Sequence, residues 1–334
     1  MSHSNISIFV PHAGCPHKCS FCDQNSISGK SKAPHAEEVK KICSEAFGYI
    51  EKKENCEIAF FGGSFTAIPE KYMTELLESA YEFTGEGKFK GIRISTRPDC
   101  INEKILTILK KYNVTSIELG CQSMDEEVLM LNHRGHDAEC VRKSCELIRS
   151  FGFELGLQMM TGLYGSTPEK DMFTADEIIK LKPDTVRIYP VVILKNTELG
   201  DLYSKGVYKT YDLEKMISLC SEYMRKFTEN NIRIIKCGLH ASEMVESEML
   251  GGYYHPAFRE LCESEMFKRR LELKTEGMSE KAFDVHVNSR YLSKAKGQKL
   301  SNIKYFSAKG ISIRIISDDS ISGDDFVISV QQEK

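Results

Sequence analysis

Three cysteines, Cys15, Cys19 and Cys22, fall within eight residues in the stretch GCPHKCSFCDQNSIS. Thiolate sulfur is a soft donor that selects zinc, copper(I) or iron–sulfur centres. A structural zinc site closes with four ligands, commonly as two short cysteine pairs. Here the second pair is missing, and a zinc reading must borrow a fourth ligand such as His12 or His17. A redox C-x-x-C reading fits Cys19 and Cys22 and leaves Cys15 without a role. The nine other cysteines are scattered, from Cys43 to Cys262, and read as small reduced core residues. What stands out is three clustered thiols and a vacant fourth position.

Other residues able to do chemistry gather where apolar runs end. FFGGSFT places Gly62, Gly63 and Ser64 after one run, and glycines there let backbone approach a ligand closely. ISTRPDCI carries Ser95, ELGCQSMDEEVL carries Gln122, and NHRGH carries Arg134. Gln158 and Tyr189 stand near the ends of two later runs. Singly, each is as well explained by a tight turn, a cap or a surface position.

C-x3-C-x2-C after the first strand of an alternating chain resembles the radical S-adenosylmethionine (radical SAM) enzymes. The resemblance implies a [4Fe–4S] cluster on Cys15, Cys19 and Cys22, its fourth iron left open. In that family S-adenosylmethionine chelates the open iron. Its reductive cleavage yields a 5'-deoxyadenosyl radical that takes hydrogen from substrate, with a flavodoxin or ferredoxin-like protein as electron donor. Phe21 falls where the family packs an aromatic near the adenine. Gly62, Gly63 and Ser64 fall on a GGE-like motif that binds the methionine amino group, with serine departing from it in third place. Ser95, Gln122, Arg134, Gln158 and Tyr189 fall at the cofactor rim, and Arg134 is expected to pair with the methionine carboxylate.

The stretches ISTRPDCI, ELGCQSMDEEVL and NHRGH, with GFELGLQMMTGLYGSTPEKD and VRIYPVVILKNTELGDLYSKGVYKTY, resemble the radical domain of the Elongator catalytic subunit. The match runs over roughly residues 8–240 and extends more loosely to the oxygen-independent coproporphyrinogen oxidases. It implies modification of a nucleoside in tRNA. A porphyrinogen-like small molecule is the alternative substrate, and a non-catalytic iron–sulfur RNA-binding protein the alternative class. The cysteine spacing is tighter than in the Elongator subunit, and the sequence reads as lacking that subunit's basic N-terminal extension and acetyltransferase domain.

These residues need a scaffold that brings them together. ISIFV, IAFFGG, GIRIST, SIELGC, FELGLQMM and TVRIYPVVIL alternate with helical stretches, which predicts βαβ units and a parallel sheet. Six such units precede residue 195, and IRIIKC adds a further strand. Polar residues at the strand C-terminal ends favour a barrel, whose ends share one rim, over a flat sheet. The fold class expected is α/β, a partial (β/α)6 TIM-like barrel with a C-terminal α+β extension. The core domain is placed at 1–240 and the extension, expected to set substrate specificity, at 241–334.

In that extension GGYYHPAF puts His255 in a loop before a helix, as a proton shuttle, a substrate contact or a packing residue. Two basic stretches, Lys268–Lys274 and Arg290–Lys299, read as phosphate contacts or solvated faces. ISIRIIS and DDFVISV read as a final hairpin. The whole chain has 334 residues, 41% apolar and 28% charged, with formal net charge −3. Disorder and a global basic field are thereby excluded. No apolar run reaches the roughly 18 residues a membrane helix needs. MSHSNISIFVPH does not read as a signal peptide, so a cytoplasmic location is expected.

Overall fold

The computed structural model describes residues 4–10, 15, 18–23, 33–239, 243–252 and 254–331. The chain forms two compact units, 1–212 with 227–254, and 213–226 with 255–334.

The first unit is built on seven parallel strands: β1 (Ser4–Val10), β2 (Cys56–Gly62), β3 (Gly91–Thr96), β4 (Val114–Gln122), β5 (Glu154–Thr161), β6 (Thr185–Pro190) and β8 (Arg233–Cys237). They lie side by side in chain order, β1-β2-β3-β4-β5-β6-β8. A doubly wound sheet reverses its order at a switch point. Without a reversal, right-handed crossovers put every helix on one face. Alternate residues therefore meet the helices: Ile58 and Phe60, Ile92 and Ile94, Ile117 and Leu119, Leu155 and Leu157 are all essentially fully buried. Each such side chain contributes roughly 1.5–3 kcal/mol by leaving water.

The other face closes on itself. The Arg187 guanidinium on β6 lies 4.8 Å from the centroid of the Phe61 ring on β2. In a flat sheet those strands would be roughly 19 Å apart, four spacings of about 4.8 Å. The sheet is a curled half-barrel with an interior.

Helices between the strands begin where a side chain can accept a free amide. Asn102 caps α3 (Glu103–Lys111) by accepting from Ile105 at 3.0 Å. Asp125 caps α4 (Glu126–Leu131), Asp137 caps α5 (Ala138–Ser150), and Thr167 caps α6 (Pro168–Lys180). Before these come α1 (Ala36–Tyr49) and α2 (Glu70–Tyr81).

Two expectations are corrected. TVRIYPVVIL is not one strand: β6 stops at Pro190, which has no N–H to donate. Val192–Leu194 (β7) pairs instead with Met249–Gly252 (β9), antiparallel. Nor do the last two strands form a hairpin. Ser312–Ser317 (β11) and Phe326–Val330 (β12) flank a strand between them, β10 (Ala282–Val287), in the order β11-β10-β12. AFDVHV earns the central place through strict alternation, with Phe283, Val285 and Val287 fully buried.

That three-stranded sheet belongs to the second unit, with helices Phe258–Thr275, Leu292–Lys296 and Ser301–Ala308. Its core joins Phe267, Leu271, Phe283, Val285, Phe306 and Phe326, among others.

Candidate functional site

The ends of β2 and β4 carry Gly62 and Gln122 to one rim, while Ser95, Gln158 and Tyr189 lie deeper. Cys15 is exposed, Cys19 buried and Cys22 half-buried, and among the described residues the cysteines form no disulfide. Burial and then the charges of Cys19 and Cys15 push the Cys22 thiol up to about 12. Although its surface reaches solvent, desolvation on the protein side and then Cys19 raise the Cys15 thiol, against the Ser64 backbone N–H and the positive charges of Arg97 and Arg134. Arg134 thus pulls both Cys15 and Cys22 toward thiolate, and Arg97 pulls Cys15. Ser64 is buried, and its hydroxyl lies 2.8 Å from Thr96 Oγ1.

Arg134 sits under this group, 5% exposed. Its Nη1 donates to Cys19 Sγ at 3.0 Å and its Nη2 to the Gly120 carbonyl, while buried Nε has no partner. Gln122 Oε1 is likewise buried and unpaired. Gln122 ends β4 at a break in register with β5 and holds a left-handed φ of 64°. A bulge there re-aims the side chain, and a non-glycine residue in that conformation is strain of the kind found at ligand sites. A Cβ added to Gly120 would stand 2.9 Å from Gln122 Nε2 and 3.6 Å from Arg134 Nη2, so the three converge.

Gly62 has φ +115°, and a Cβ there would meet the Val10 carbonyl at 2.8 Å. The Gly63 amide donates to that carbonyl at 3.0 Å. Phe21 is half-buried, next to Cys22.

Ser95, Gln158 and Tyr189 belong to a second layer, inside the barrel. Gln158 Nε2 donates to Ser95 Oγ at 3.1 Å and to Glu118 Oε2 at 2.8 Å. Arg187 clamps Glu118 with Nε at 2.5 Å and Nη2 at 2.9 Å. Burial pushes the Tyr189 hydroxyl up, and the charge of Arg187 beside it opposes that shift. Below, Arg93 is fully buried and divides three donors among Glu57 at 2.8 Å, Glu118 at 3.2 Å and Glu154 at 2.7 Å. Burial opposes charge on Glu118, yet Arg187 and Arg93 hold its carboxyl below the usual range. The interior is thus a ladder of alternating charge reaching up to the rim polar residues.

Several of these residues are additions to the sequence reading. Arg97, 4% exposed, chelates Asp99 at 2.9 and 3.0 Å, donates to the Arg134 carbonyl and reaches Cys19 Sγ at 4.0 Å. His136 has a buried Nε2 without a partner, and burial and then Arg134 push its imidazole down to about 4. Glu118, Arg93 and Arg187 had a signal: each is a lone charge in the middle of a buried apolar run, in SIELGC, GIRIST and TVRIYP. His255 does something humbler, accepting the Ala257 amide at 3.1 Å.

Among the described residues no three Cys, His, Asp or Glu side chains converge to hold a single ion. An iron–sulfur cube asks something different, one thiolate at each of separate irons. Soft sulfur donors flanked by guanidinium, with unpaired buried polar atoms on Gln122 and Arg134 beside them, suit a cluster and a polar ligand chelating it.

Comparison with known proteins agrees. The model of the radical SAM superfamily matches residues 9–178, just over half of the chain, and that of the Radical_SAM C-terminal domain matches 183–268. An uncharacterised protein of Methanocaldococcus jannaschii is 32% identical over 227 residues, 63% of this chain and 68% of its own length. The tRNA uridine(34) acetyltransferase of Methanocaldococcus infernus is 28% identical over 258 residues. That alignment covers 65% of this chain and 48% of the relative, so the chain spans about half of such an enzyme. In structure, M. infernus Elp3 with its N-terminus deleted superposes with TM-score 0.57 at 22% identity, over 74% of this chain and 62% of the other. With its parallel half-barrel and the family model matched over half of its length, this chain belongs to the radical SAM superfamily of enzymes.

Proposed function

We propose that this radical SAM enzyme modifies a nucleoside within tRNA. The observation that carries the proposal is the alignment with tRNA uridine(34) acetyltransferases over 65% of the chain. The acetyl transfer in those names is not part of the proposal.

Family membership brings a [4Fe–4S] cluster and S-adenosylmethionine as cofactors and a requirement for a reductant. Together they supply reductive cleavage of the sulfonium and a carbon radical that abstracts hydrogen. In our reading Cys15, Cys19 and Cys22 hold the cluster. Gly62, Gly63 and Ser64 offer backbone to the methionine end of S-adenosylmethionine, with Phe21 on its adenine side. Gln122 and Arg134 offer it their unpaired polar atoms. Ser95, Gln158 and Tyr189 form the floor beneath, fixed by Glu118 and Arg187. Arg134 binds through a planar fork, which a lysine cannot reproduce. The electron donor we propose is a flavodoxin or ferredoxin-like protein, in the cytoplasm. Among the described residues no helix is long and apolar enough to cross a membrane.

The test is an anaerobic reaction of reduced, reconstituted protein with S-adenosylmethionine and bulk tRNA, followed by nucleoside mass analysis. A nucleoside of new mass, dependent on Cys19, is expected. An unchanged digest with 5'-deoxyadenosine still accumulating would eliminate tRNA as the substrate.

A further inference from the structure

The two basic stretches of the second unit behave differently once folded. In the first, Lys268 pairs with Glu265 at 2.5 Å, Arg269 with Glu265 at 2.9 Å, and Arg270 with Asp324 at 3.0 Å. Lys274 lies over the Phe326 ring at 4.2 Å. Those charges are spent inside the unit.

The second stretch is built otherwise. From Val285 to Ser317 the sequence holds seven Lys or Arg and no Asp or Glu, in a chain of net charge −3. Three of the seven find carboxylates from outside the stretch: Lys294 with Glu263, Lys309 with Glu272 and Arg314 with Asp284. Lys296, Lys299 and Lys304 find none among the described residues, and Arg290 stands in the field of Asp319 without a close ion pair. Arg290, Lys299 and Lys304 are exposed, and Lys296 is half-buried. Unpaired cations held together repel one another, an arrangement that a polyanion relieves.

A cavity of about 250 Å³ is lined by two of them, Lys296 and Lys299, together with Ser293 and Gln298 as donors and Glu260 as its one carboxylate. Its rim turns sharply. Gly297, Lys299 and Leu300 all have positive φ, at 74°, 52° and 64°. Left-handed backbone costs an ordinary residue roughly 1–2 kcal/mol. A Cβ on Gly297 would stand 2.2 Å from Ser301 Oγ. The turn holds Lys299 at the cavity mouth.

We infer that this surface binds the phosphodiester backbone of RNA, with Arg290, Lys296, Lys299 and Lys304 as its phosphate contacts. The inference rests on the reading of tRNA as substrate and names the part of the chain that grips it. The cations do not distinguish sequences; they neutralise phosphates and position the strand. Releasing counterions makes such binding strongly salt-dependent, with each contact adding about one to the slope of log K against log salt.

The experiment measures binding of bulk tRNA to the full chain between about 50 and about 200 mM salt. It compares wild type, the quadruple variant Arg290→Ala, Lys296→Ala, Lys299→Ala, Lys304→Ala, and a triple variant Lys296→Arg, Lys299→Arg, Lys304→Arg. The alanine variant should lose about three to four from the salt slope, and the arginine variant should keep it. Since the arginine variant changes the same lysines while retaining charge, it separates lost contacts from lost folding. An unchanged slope in the alanine variant overturns the proposal. So does loss of binding to vesicles containing phosphatidylserine with tRNA binding intact, which would make the surface a membrane contact. The substrate reading fails separately: patch-dependent tRNA binding without any modified nucleoside leaves the patch standing, while modified tRNA with an unchanged slope removes the patch alone.

Discussion

Arg134 places one nitrogen on the Cys19 sulfur and another on the Gly120 carbonyl, leaving Nε buried and unpaired. An unpaired buried donor costs about 1–3 kcal/mol. Gln122 Oε1 carries a similar cost close by, and the two together mark a place shaped for polar groups. Arg134→Ala should lower 5'-deoxyadenosine formation by about a hundredfold, the size of effect seen when one preorganised donor is removed. Iron and sulfide content should stay at the wild-type level. Arg134→Lys should recover part of the rate, because charge returns without the two-pronged geometry. Wild-type cleavage by the alanine variant would remove Arg134 from the site. The cysteines and Arg134 were legible in the sequence because they sit in compact motifs. Arg97 was not, although ISTRPDCI contains it: its sulfur neighbour lies 78 residues away, and only the folded rim brings them together.

At the level of strands, lone charges within apolar runs turn out to be partners across the barrel. A buried ion pair adds little net stability over an apolar pair, but removing one member strands the other. Glu118 is the hub, serving Arg93, Arg187 and Gln158 at once. Glu118→Gln should therefore cost about 3–5 kcal/mol in chemical denaturation. Asp137→Ala removes only an amide acceptor at the start of α5 and should cost about 1 kcal/mol. A loss for Glu118→Gln no larger than that of the cap would show that the ladder is slack. The parallel strands were readable as apolar runs alternating with helical stretches, whereas AFDVHV was not singled out as a strand. What also escaped was pairing. Nothing local in ISIRIIS and DDFVISV reveals that AFDVHV will lie between them, because register is decided by which strand has the most apolar face to bury. The bulge at Gln122 escaped for the same reason, since it arises only when β4 meets β5.

Across the whole molecule these local charges set opposing responses to pH. Glu118 and Glu154 are buried against their charge, but their arginine partners hold both carboxyls below the usual range. Their stabilisation is present above the unfolded value of about 4.3 and fades as pH falls through the lower folded value. Asp171 runs the other way. It is 2% exposed and accepts from the Gly162 amide at 2.9 Å, Ser166 at 2.5 Å and Tyr211 at 3.0 Å. Burial nonetheless raises its carboxyl to about 6. Between the unfolded value of about 3.9 and that folded value, the native chain keeps a proton that the unfolded chain has released. Stability must then fall as pH rises through this window, by about 3 kcal/mol in all, and level off above it. Urea unfolding of wild type and Asp171→Asn between pH 4 and 8 isolates the effect, because asparagine does not titrate. The stability of wild type relative to the variant should decline by that amount from about pH 4 to about pH 6 and stay constant beyond. A difference that does not move with pH would mean that the three donors keep Asp171 ionised, and that burial loses to hydrogen bonding at this site.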